Sequence, residues 1–101
     1  MEIYAEHYPD KSVLVIDKNK LIGIENEEFQ NMVQECIDKS CKSISVDLSK
    51  VDYVASWGIG ILVYAYTTCT NKQIGFGVEN ATENVMRVLH QLKLDKLFTI
   101  K

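Results

Sequence analysis

The sequence predicts an α/β domain in which a partly parallel sheet is covered by helices. Three observations carry this reading. Strand-like segments precede each of three helical stretches, giving the order β-β-α-β-α-β-α-tail, and strands alternating with helices imply right-handed crossovers. The chain has 101 residues, which is room for one core and one domain, residues 1–101. Its 47% hydrophobic and 25% charged residues, with five Gly and one Pro, exclude disordered, collagenous and low-complexity classes.

Ile3 to Tyr8 and Ser12 to Ile16 read as two strands joined at Tyr8-Pro9-Asp10-Lys11, where the only proline and the Asp after it favour a turn, hence a hairpin. Leu21 and Ile22 form a short apolar patch before Gly23. Phe29, Met32, Val33, Cys36 and Ile37 then fall on one helical stripe, with Asn26 as the expected N-cap and Glu27 and Glu28 in the first turn. Ile44, Val46 and Leu48 alternate with polar residues as a strand does. Val51 to Ala55 leads into the apolar run Ser56 to Tyr66, whose length and end at Asn71-Lys72 favour a mostly buried helix capped by Ser56. Ile74, Phe76 and Val78 alternate with Gly75 and Gly77 as another strand. Asn80-Ala81-Thr82-Glu83 has capping-box spacing ahead of Val85, Val88, Leu89 and Leu92, a further helical stripe. Leu94, Leu97, Phe98 and Ile100 form an apolar tail expected to dock on the sheet.

Several functions are disfavoured by composition. With 14 acidic and 11 basic side chains, a net charge of −3 and no basic cluster, the chain lacks the positive stripe that nucleic acid requires. The longest apolar run, Ile59 to Tyr66, is far short of the roughly 20 residues that span a bilayer, and no signal-peptide pattern opens the sequence, so a cytoplasmic protein is expected. Cys36, Cys41 and Cys69 show no Cys-x-x-Cys pairing, so reduced thiols are expected and no metal or cofactor site is indicated.

Catalytic groups are sparse. His7 and His90 have no obvious carboxylate or Cys partner in sequence, Glu25, Glu27 and Glu28 suit a helix N-terminus, and Gly58-x-Gly60 and Gly75-x-Gly77 lack the rest of a dinucleotide fingerprint. Cys69, at a helix C-terminal end where the dipole raises a thiol pKa, is a poor nucleophile. A small hydrolase or thiol enzyme using Cys69 or Ser56 with a His is the least favoured class. The informative place is Tyr53-Val54-Ala55-Ser56-Trp57-Gly58-Ile59-Gly60, where a strand end meets a helix start. Ser56 is there either a plain capping residue or a hydroxyl whose phosphate would face free backbone N–H groups and the positive end of the helix dipole.

On these residues the sequence resembles the STAS family, the anti-anti-sigma factors (anti-sigma factor antagonists) of bacteria. Ile44-Ser45-Val46-Asp47-Leu48-Ser49-Lys50-Val51-Asp52-Tyr53-Val54 is similar to the family's hydrophobic-Asp-Leu-Ser-x-Val strand and loop. Ala55-Ser56-Trp57-Gly58-Ile59-Gly60-Ile61-Leu62 resembles its Asp-Ser-Ser/Thr-Gly-Leu-Gly signature, and Leu94 to Ile100 its Leu-x-x-Leu-Phe-x-Ile close. The resemblance implies a four- to five-stranded mixed sheet covered by three or four helices. It implies a non-enzymatic partner switch in which an anti-sigma factor with serine kinase activity phosphorylates the antagonist and a phosphatase resets it. Carried over by residue, Ser56 becomes the phosphoacceptor candidate and Gly58 and Gly60 the signature glycines. Ala55 and Trp57 replace the family's acid and second hydroxyl, and a further family acid falls at Ile22. The partner-binding residues expected are Ile22, Gly23, Tyr53, Val54, Ala55, Trp57, Gly58, Ile59 and Gly60, on a monomer or weak dimer. The alternative is a STAS interaction subunit independent of phosphorylation, a signalling scaffold or transporter-associated module in which Trp57 gives a permanent contact.

Overall fold

The computed structural model describes residues 2–101. Strands β1 (Ile3–His7) and β2 (Lys11–Ile16) form the expected hairpin, closed by the Tyr8 N–H donating to the Lys11 carbonyl at 2.8 Å. Then come β3 (Lys20–Leu21), α1 (Asn26–Asp38), β4 (Ser43–Asp47), β5 (Tyr53–Val54), α2 (Ser56–Asn71), β6 (Gly75–Glu79) and α3 (Glu83–Gln91). A single 3-10 turn (Leu94–Lys96) and β7 (Thr99–Ile100) close the chain. The main sheet runs β1-β2-β4-β6-β7, antiparallel at the hairpin and parallel elsewhere, as crossover connections through α1, α2 and α3 require. The apolar tail becomes its last strand.

Core packing follows the sequence stripes. Phe29, Val33 and Cys36 of α1 meet Ile61, Leu62, Ala65 and Cys69 of α2 over Leu14, Ile44 and Val46 of the sheet, all buried. Val85 and Leu89 of α3 bury beside Leu94 and Phe98, and Phe76 and Phe98 pack edge to face with centroids 5.3 Å apart. Leu92 and Leu97 depart from the expectation: α3 stops at Gln91, so Leu92 leaves the stripe, and both side chains are exposed.

Three expected caps are corrected. Asn26 is the first residue of α1, after Glu25, and its side chain accepts a hydrogen bond from Gln30. Ser56 is likewise the first residue of α2: Ala55 holds the extended N-cap position, and no side chain caps this helix. At α3 the cap is Thr82, whose hydroxyl accepts from the Val85 N–H at 3.4 Å and donates to the Val51 carbonyl at 2.8 Å. Asn80 stands earlier with φ 56°, the left-handed region that Asn tolerates, and donates to Asp47.

A second sheet has no counterpart in the sequence pattern. β3 and β5 pair in parallel, Lys20 with Tyr53 and Leu21 with Val54, to make a two-stranded ribbon apart from the main sheet. Two residues are too short a run for any period to show. Among the described residues no helix is long and apolar enough to cross a membrane.

Candidate functional site

The β3–β5 ribbon brings the turn before α1 against the start of α2. The Leu21 carbonyl accepts the Ala55 N–H at 3.0 Å, and the Asn19 carbonyl accepts those of Asp52 and Tyr53. Gly58 lies directly over Leu21, because a Cβ there would sit 2.1 Å from the Leu21 oxygen. Gly23, at φ +122°, packs under Trp57, and a Cβ on it would come within 2.6 Å of the Trp57 Cβ. Both glycines are therefore required by close approach of backbone to its neighbours.

Glu25 organises the turn itself. Its carboxylate is 3% exposed and accepts the N–H groups of Ile22 at 3.1 Å and Gly23 at 2.9 Å, while Lys18 donates to its other oxygen and also pairs with Glu2. Burial works to raise the Glu25 carboxyl, but the hydrogen bonds from Lys18, Gly23 and Ile22 outweigh it and hold it below the usual carboxylate range. Lys18 is raised in turn by its bond to Glu25, against the opposing effect of burial.

On this frame the expected site residues divide. Trp57 is 80% exposed, and Ser56, Tyr53 and Gly60 are exposed with it; Ile22, Gly23, Ala55 and Ile59 are half-buried. Val54 and Gly58 are buried, so they support the face from beneath and do not reach solvent. Gly60 differs from the other two glycines, since nothing lies within 4 Å of a Cβ added there. Beside it opens a groove of about 480 Å³ lined by Gly23, Asn26, Ser56, Trp57, Gly60, Ile61 and Tyr64. Gln30 braces this groove by donating to the Asn26 side chain at 3.1 Å and to the Ile61 carbonyl at 3.2 Å.

Ile24, Glu25, Asn26 and Tyr64 join the site without having been expected there from sequence. Tyr64 had a legible signal, because 57, 60 and 64 share one helical stripe opposite the buried Leu62, Ala65 and Cys69. Ile24, 80% exposed, had none.

Neither histidine joins the groove. His7 Nδ1 lies 2.9 Å from the hydroxyl of buried Ser12, and His90 Nδ1 lies 2.9 Å from Asp95, a carboxylate partner that the sequence did not suggest. Burial pushes the Cys69 thiol up to about 12, in the direction the helix dipole suggested from sequence, and raises Cys36 as well. Among the described residues no cluster of His, Cys, Asp and Glu is arranged to hold a metal ion.

An anti-sigma factor antagonist from Mycobacterium paratuberculosis is similar over 97% of this chain and 82% of its own, with TM-score 0.80 and 24% identity. The unphosphorylated form of the anti-sigma factor antagonist SpoIIAA matches over 98% of this chain and 87% of its own, at TM-score 0.80 and 13% identity. The phosphorylated form of the Bacillus cell fate determinant SpoIIAA matches over 98% of this chain and 90% of its own, at TM-score 0.74 and 12% identity. These likenesses show the fold. No curated protein matches the chain. The family model described as STAS domain matches residues 2–101, with the predicted signature at the start of α2, and the chain belongs to the STAS domain family.

Proposed function

We propose that this chain is a regulatory binding module of the anti-sigma factor antagonist type, acting by docking and not by catalysis. It engages an anti-sigma factor with serine kinase activity through the Ile22–Ile24 turn and the first two turns of α2. Phosphorylation of Ser56 releases the partner and a phosphatase restores binding. The observation that carries this is the placement of an exposed Ser56 on the first turn of α2, lining an open groove together with the 80%-exposed Trp57. A phosphate there gains from the free N–H groups and dipole of the helix start, and brings about −1.5 to −2 charges into an apolar contact face. The structural likeness to SpoIIAA, described in phosphorylated and unphosphorylated forms, supports the same reading. Ala55 supplies no carboxylate beside the hydroxyl, so positioning of Ser56 for phosphoryl transfer falls to the kinase.

Mass spectrometry of the protein from its native cell tests the switch: phosphate on Ser56, and loss of kinase binding in Ser56→Asp, are the expected results. If Ser56 stays unmodified in every growth condition and Ser56→Asp binds normally, the phosphorylation-independent module is the better reading, with the exposed Trp57 as its permanent anchor.

A further inference from the structure

A second groove, also of about 480 Å³, runs on the other side of the Gly23–Asn26 turn, lined by Ile24, Glu27, Glu28, Asn31, Met32 and Glu35. Its apolar residue Ile24 directly follows Gly23, which packs under Trp57. Ile24 and Trp57, each 80% exposed, flank Gly23, and half-buried Met32 continues from Ile24 along α1. Its rim is acidic. α1 carries Glu27, Glu28, Glu35 and Asp38 and no base, whereas the rest of the chain has 10 acids against 11 bases. The negative charge of the protein is thus concentrated on one helix face. Among the described residues no ion pair engages Glu27, Glu28 or Glu35, while the buried Glu25 is already matched by Lys18.

From this combination we propose that the groove receives a basic amphipathic α-helix of the protein partner, which prolongs docking from Trp57 along α1. The inference deepens the proposed function and rests on its reading of the Trp57 face as a docking surface. The occupant follows from complementarity. The exposed Ile24 and half-buried Met32 take an apolar stripe, and the carboxylates beside them take Lys or Arg next to that stripe. Glu28 and Glu35 lie seven residues apart on one line of α1, about 10 Å by helical rise, so a partner helix meets them with cations at the same seven-residue spacing. Unpaired carboxylates of one sign also steer a basic partner toward Ser56 before contact, an effect that salt weakens.

The test is an amide NMR titration with an 18-residue helical Leu/Lys peptide carrying Lys at seven-residue spacing beside a Leu stripe. The expected result is saturable shifts at Ile24, Glu28, Met32, Glu35 and the Trp57 indole, weakening as salt rises. Binding should fall at least ten-fold in Ile24→Ala, in the Glu27→Gln/Glu28→Gln/Glu35→Gln variant with its amide dispersion retained, and for a scrambled peptide of equal composition. Shifts confined to other surfaces, no saturable binding, or equal binding by the triple variant or the scrambled peptide would overturn the proposal. Ser56 phosphate and Ser56→Asp do not enter this titration, so the groove and the phosphoserine switch fail separately.

Discussion

Gly58 and Leu21 are in backbone contact: the first turn of α2 rests on the Leu21 carbonyl, at a distance that leaves 2.1 Å for a Cβ on Gly58. A Cβ added at Gly60, two residues further on, would meet nothing within 4 Å. The two glycines of the signature therefore respond oppositely to the same substitution. Gly58→Ala forces α2 away from β3 and is expected to cost about 1–3 kcal/mol. Gly60→Ala removes only backbone freedom within an exposed helix turn and is expected to gain about 0.5–1 kcal/mol. Urea midpoints of the two variants check this, and similar losses in both would refute the distinction.

Trp57 separates stability from docking. Its side chain is 80% exposed, so Trp57→Ala should change unfolding free energy by less than about 0.5 kcal/mol. Partner binding should weaken by about 2 kcal/mol or more if the indole is the anchor of the face. Thermal unfolding and calorimetric titration with the proposed anti-sigma factor partner measure the two quantities independently.

The Glu25 turn should be acid-labile. A carboxyl held below its ordinary range contributes stability above that range and loses it as pH falls through the depressed folded value. The Ile22 and Gly23 amides donate to this carboxylate, so their NMR shifts should titrate together with a midpoint below that of an unperturbed glutamate. Glu25→Gln should abolish that shared titration, and its persistence in the variant would assign the midpoint to another group.

Thiol chemistry gives a further check. With the Cys69 thiol pushed up to about 12 and its side chain buried, almost no thiolate forms at neutral pH. Iodoacetamide should label Cys69 in denaturant and leave it unmodified in the native protein, as peptide mapping will show; rapid native labelling would contradict the burial.

The central strands, α1 and α3 were legible because their apolar residues recur at periods of 2 or 3.6, as in Phe29 to Ile37, whereas α2 was legible from the length of its apolar run and the hairpin from its Pro-Asp turn. Ser56 and Trp57 were legible through the signature at the α2 start. What escaped were features made by contacts distant in sequence. Glu25 looked like one of three acids suited to a helix N-terminus, and only folding shows it turned inward to Ile22, Gly23 and Lys18. Leu21 and Val54 each belong to a two-residue strand that exists because the other is there. The caps shift by one or two residues for two reasons. At α3 Asn80 and Thr82 both satisfy the same local preference and Thr82 holds the extended backbone. By contrast, α1 and α2 begin after Glu25 and Ala55 with no side-chain cap at all, so a search for a capping side chain lands on the next polar residue.

The β3–β5 ribbon also determines what kind of object a partner meets. A linear peptide spanning residues 53–64 would contain Ser56, Trp57 and Tyr64 yet lack the Leu21 carbonyl under Gly58 and the Gly23 backbone under Trp57. The surface is thus a discontinuous epitope, assembled from two stretches on either side of α1 and β4. Under the proposed partner switch, short synthetic peptides should be poor kinase substrates and poor competitors, and inhibitors patterned on this face will have to imitate its shape and not its local sequence.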